Sequence, residues 1–72
     1  MKFIKALDGR YINSACVHTL YINSISKNEN WVVGIPRDDE ETQDYLFGSF
    51  KDYKSAEKFL DKLVAELNKE GN

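Results

Sequence analysis

The sequence predicts an α+β fold: an antiparallel β-meander of four to five strands with one C-terminal amphipathic helix packed on one face. Three observations carry this prediction. The 72 residues leave room for one hydrophobic core and no second domain. Up to about residue 50 the apolar residues fall in short extended runs separated by turn residues. From Asp52 onward the apolar spacing changes from two to 3.6, the period of a helix.

The first element follows from "KFIKALDGRYIN", in which Asp8-Gly9 separates two short apolar-bearing runs. Asp-Gly is favoured where both central residues of a turn need positive φ, so a type I′ hairpin joining strands at about 2–7 and 10–13 is expected. Asn13 and Ser14 then break the pattern, because their side chains can bond the backbone ahead and close a turn. The longest extended run follows, about 16–25, rich in β-branched and aromatic residues. Alternation puts Leu20 and Ile22 on one of its faces and Val17, Thr19 and Tyr21 on the other. "SKNEN" reads as the next turn, tightened by an Asn in left-handed conformation. "WVVGIP" is a strand at about 31–36; Gly34 marks a bulge or a close crossing, and Pro36, without a donor N–H, ends the ladder. The last strand is expected at about 44–50.

The helix is expected over about 53–69. Ala56, Leu60, Leu63, Val64 and Leu67 form its apolar stripe and Phe59 widens it, while Lys54, Glu57, Lys58, Asp61, Lys62 and Glu66 take the other faces. Asp52 suits the N-cap, accepting from the amide of Lys54 or Ser55, and Gly71 suits the stop. One stripe covers one sheet face. The opposite face is left to water or to a partner, with Tyr11, Tyr21 and Trp31 as the candidates to occupy it.

Composition narrows the function. A core this small leaves roughly 3 to 5 kcal/mol of net stability unless something supplements it. Cys16 is the single cysteine and His18 the single histidine, which excludes an internal disulfide and the common zinc sites. Self-association is the expected supplement, and a reducing cytoplasm the expected location. The opening residues are charged before any apolar run reaches signal-peptide length, and no stretch approaches a membrane span. Charge is uneven: five cations face two acids up to residue 37, and five lysines face ten acids after it. Any anionic partner is therefore expected on the N-terminal half.

The chemically suggestive groups each have a plainer reading. "PRDDEETQDY" gathers Asp38, Asp39, Glu40, Glu41 and Asp44. Calcium-loop spacing is lacking, and no Gly makes the sharp turn that would converge alternate oxygens on one ion, so the cluster reads as a solvated connection between strands. Cys16 and His18, two apart, would share a face of a strand, but their Cα atoms would lie roughly 6 to 7 Å apart. No oxyanion donor is expected beside them, and Cys commonly serves as a small hydrophobe. No catalytic residue, metal or cofactor is expected.

Two functional readings remain. The edges and the open face of a meander are routes to a homodimer or to another protein, with Trp31, Tyr21 and Tyr11 as the interaction surface. In a monomer, Lys2, Lys5 and Pro36 would blunt those edges. The alternative is nucleic-acid binding by the basic, aromatic-bearing N-terminal sheet, with Lys2, Lys5, Arg10, Lys27 and Arg37 on phosphates. No membrane partner is expected.

The segments "LDGRYIN", "VHTLYI" and "DYLFGSFKDYKSAEKFLDKLVAEL" resemble small proteins of unassigned function from Gram-positive bacteria and their phages. That resemblance implies a strand-rich N-terminal part, a C-terminal helix and a bacterial or phage setting, with no activity attached. The stretch from Gly9 to Leu20 is also locally similar to the flagellar FlbD family. The reading adopted is a small, non-catalytic protein-interaction or regulatory module.

Overall fold

The computed structural model describes residues 2–38 and 43–70. Its first unit is a short hairpin in which β1 (Phe3–Lys5) pairs antiparallel with β2 (Tyr11–Asn13), setting Ile4 opposite Ile12. The turn differs from the type I′ expectation. Gly9 alone has positive φ, at 95°, and its amide donates to the Ala6 carbonyl at 3.0 Å, so Leu7 and Asp8 are the central residues and neither is left-handed. The Ala6 amide reaches the Arg10 carbonyl at 2.7 Å, which makes a three-residue loop closed by a glycine. Asp8 stays in this loop because its carboxylate accepts from both the amide and Nε of Arg10.

A single 3-10 turn, Ser14–Cys16, follows, its N-terminus capped by Asn13 Oδ1, which accepts from the Ala15 amide. This turn re-aims the chain instead of folding it back, so β2 does not pair with the next strand. The result is a correction to the single meander. Among the described residues there are five antiparallel strands, but they divide into the two-stranded unit and a three-stranded sheet of order β3-β4-β5, formed by β3 (Val17–Ser26), β4 (Glu29–Pro36) and β5 (Tyr45–Phe50). The hairpin docks on β5 through one main-chain bond, from the Leu7 amide to the Leu46 carbonyl at 2.8 Å.

Bulges decide which side chains face inward. The ladder steps from Val17 opposite Pro36 to Thr19 opposite Ile35, leaving His18 as an extra residue. Val17 therefore packs on the core with Leu20 and Ile22, and not with Thr19 and Tyr21 as plain alternation requires. In β5 the step from Val32/Gly48 to Val33/Leu46 makes Phe47 the extra residue. Phe47 turns inward over Gly34, where a Cβ would stand 2.5 Å from its ring.

The β3–β4 turn is shorter than expected. Ser26 and Glu29 are already paired, no non-glycine residue has positive φ among the described residues, and Asn30 lies inside β4. Buried there, Asn30 accepts from the Ser24 hydroxyl at 2.6 Å and donates to the carbonyls of Phe50 and Lys51 at 3.4 and 3.3 Å. It fastens the loop that launches the helix.

Helix α1 (Tyr53–Glu70) lies against β3, β4 and β5. Its cap is Asp52, which accepts from the Ser55 amide at 3.1 Å and the Ser55 hydroxyl at 2.9 Å. Ala56 is fully buried, and Phe59, Leu60, Leu63 and Leu67 pack around a core of Ile4, Ala6, Val32, Tyr45 and Phe47. Phe59 meets Phe50 with ring centroids 5.3 Å apart, above Gly48. The expected stop at Gly71 lies outside the described residues.

Candidate interaction surface

The face of the three-stranded sheet turned away from α1 follows from the register. Alternation along β4 puts Trp31, Val33 and Ile35 on it, because Val32 and Gly34 face the core. Tyr21 and Leu46 flank Val33 in the ladder, and Asn23 and Ser49 flank Trp31. Val33 is only 3% exposed, yet the residues that shield it are open: Tyr21 at 36%, Ile35 at 37% and Leu46 at 41%. Among the described residues no helix or strand is laid over this face.

The hairpin tip reaches the margin of the same surface. A cleft of about 420 Å³ is lined by Ala6, Leu7, Asp8, Arg10, Trp31, Gln43, Asp44 and Leu46. Its walls are apolar at Leu7, Trp31 and Leu46, and its rim is charged. The Arg10 amide holds the Asp8 carboxyl below its ordinary value; desolvation opposes this, and the Arg10 guanidinium 2.6 Å away lowers it further. Trp31 Nε1 is shut off from solvent and has no acceptor among the described residues, which hold the indole by packing.

Of the aromatic residues singled out in the sequence, Tyr21 and Trp31 share this face. Tyr11 does not: it lies opposite Lys5 on the separate hairpin, exposed. Leu46 and Leu7 were missed. Leu46 reaches the open face only because Phe47 is an extra residue, and Leu7 is placed there by a main-chain bond to β5; neither has a local pattern in the sequence.

The cations are scattered. Lys2 approaches Glu66 of α1 at 3.9 Å, Lys5 lies on the outer side of the hairpin, and Arg10 is held by Asp8. Lys27 is in the β3–β4 turn, and Arg37 follows the far end of β4, its amide bonded to the Cys16 carbonyl. Eight residues of strand separate these last two, roughly 26 Å.

Cys16 ends the 3-10 turn and is exposed, while the exposed His18 has Nδ1 at 2.7 Å from Thr19 Oγ1. The two do not share a regular strand, as the sequence reading assumed, because the strand begins only at Val17. Of the acidic run, Asp39, Glu40 and Glu41 lie outside the described residues, and Asp38 and Asp44 are exposed. Among the described residues no helix is long and apolar enough to cross a membrane.

Comparison of the chain with protein-family models, with curated proteins and with solved structures finds no match. Any functional reading therefore rests on the surface itself.

Proposed function

We propose that the protein is a non-catalytic interaction module that binds an apolar segment of another protein on the open face of its three-stranded sheet. The observation that carries this reading is the band of Tyr21, Trp31, Ile35 and Leu46 around Val33, bordered by Leu7 and the charged rim of the cleft. Large aromatic and aliphatic side chains at the centre of a patch with charges at its edge match the composition of protein interfaces. Trp31 and Tyr21 are the anchors. The exposed Cys16 suits a reducing cytoplasm, and the resemblance noted above suits a bacterial or phage setting. The nucleic-acid reading gains no support from cations this dispersed.

The test is a photo-crosslinking amino acid at Tyr21, with a control at Tyr11 on the other sheet. In extract of the source organism, the Tyr21 probe should give a discrete adduct absent from the control. Unlabelled wild-type chain should compete it away, and the Trp31→Ser, Tyr21→Ser double variant should not. Equal competition by the double variant, or no adduct, overturns the reading.

A further inference from the structure

The two outer strands of the three-stranded sheet are treated differently. On the β5 side the chain supplies its own cover: the Leu7 amide bonds the Leu46 carbonyl, Ile4 and Ala6 complete the core, and Lys2 approaches Glu66. On the β3 side the described residues supply nothing comparable. Among the described residues, none of residues 18–26 makes a backbone hydrogen bond to any segment but β4.

An open edge is a template for another strand, and chains ordinarily blunt it with Lys, Pro, other charges or bulges. The ten residues of β3 include no Lys, Arg, Asp, Glu or Pro. Lys2 and Lys5 belong to the hairpin unit and Pro36 ends the central strand, so none of the residues expected to protect an edge is on this one. Irregularities at His18 and Ile25 leave residues 19–24 as an unbroken run of roughly 20 Å.

The layer above the sheet is also unfinished on this side. Leu20 and Ile22 face the core but remain partly exposed. Phe59 turns toward β5, so the opposite flank of α1, roughly 140° away around the helix at Val64, overhangs β3. Val64 is 37% exposed.

We infer that β3 pairs antiparallel with β3 of a second copy of this chain, about a twofold axis near Tyr21 and Ile22. The occupant follows from symmetry and charge. An antiparallel edge is its own complement under a twofold axis normal to the sheet, and an uncharged edge does not repel its copy. Pairing makes one six-stranded sheet, with both helices on one side covering Leu20 and Ile22. Both open faces then lie together on the other side. The inference goes beyond the reading above, because the face with Trp31 stays free.

Sedimentation equilibrium combined with amide exchange tests it. Wild type should sediment at twice the chain mass, and those amides of residues 19–24 that point away from β4 should exchange slowly. Val64→Lys should weaken the dimer about tenfold or more with its helical signal kept, and its outward amides should exchange freely. Ile25→Lys, at an exposed edge position, serves if Val64→Lys loses that signal, and exchange in wild type decides if both do. Trp31→Ser should leave the mass unchanged. A monomer, a dimer with fast outward amides, or a mass halved by Trp31→Ser and not by Val64→Lys overturns the inference. So does edge protection that arises only on adding an extended peptide. Failure of the Tyr21 adduct with the mass intact would count against the open-face reading alone.

Discussion

Gly34→Ala is the most informative single substitution, because Gly34 joins the core to the open face. Its φ is not in the positive range, so alanine meets no backbone strain. What it meets is Phe47 at 2.5 Å, Val17 at 3.3 Å and Leu20 at 3.4 Å. Phe47 is itself buried and bulged inward, so its ring has little room to withdraw. Forcing one extra carbon into a packed core costs about 1–3 kcal/mol. Against this, Gly→Ala restricts the unfolded chain, a gain of about 0.4–1 kcal/mol. The net expectation is a loss of about 1–2 kcal/mol, a large part of what so small a core supplies. At about 4–8 °C per kcal/mol for a domain of this size, the melting temperature should fall by about 4–16 °C. Thermal circular dichroism at fixed protein concentration reads this, since any dimer makes the midpoint concentration-dependent. Phe47→Leu alone should also destabilise by leaving space, but in the Gly34→Ala background it should cost less, with a coupling of about 1 kcal/mol. A Gly34→Ala variant as stable as wild type, or additive losses in the double variant, would refute the assigned contact and with it the bulge that turns Leu46 outward.

Asn30→Ala removes the acceptor of Ser24 and the donor to two carbonyls at the foot of α1, and should cost about 1–3 kcal/mol in urea unfolding. Gly9→Ala places a side chain at φ 95° with open space around it, so the cost is backbone strain of about 1–3 kcal/mol, read in urea unfolding as a lower midpoint with an unchanged slope. The Ser55 hydroxyl and then the Ser55 amide hold the Asp52 carboxyl below its ordinary 3.8. The folded form thus favours the carboxylate: the cap contributes fully above pH 4 or so, and its contribution is lost as pH falls through the lowered value. The melting temperature of wild type should drop more steeply in that acidic range than that of Asp52→Asn, and parallel acid profiles would remove the cap from the account.

Much of this architecture is legible in short segments. The helix from Tyr53 is written in its 3.6 spacing and in Asp52 three residues before Ser55, because capping and amphipathicity are relations between near neighbours. Strand positions follow from runs of β-branched and aromatic residues, and that Trp31, Val33 and Ile35 share one face is plain from alternation along β4. The lack of charge along β3 is equally visible in its composition.

Other features arise only when distant segments meet. His18 and Phe47 become extra residues because β4 sets the register on both sides of itself, and each extra residue moves its neighbours to the opposite face. Val17 joins the core and Leu46 the surface on that account alone. Asn30 looks like a turn residue until β3 and the loop after Phe50 close around it. By itself the sequence determined the order of the elements and roughly where each lies, since propensity, spacing and capping act over a few positions. Tertiary structure decided which face each residue serves, that the strands form two sheets, and which edge stays open, since these depend on contacts between residues far apart in the chain.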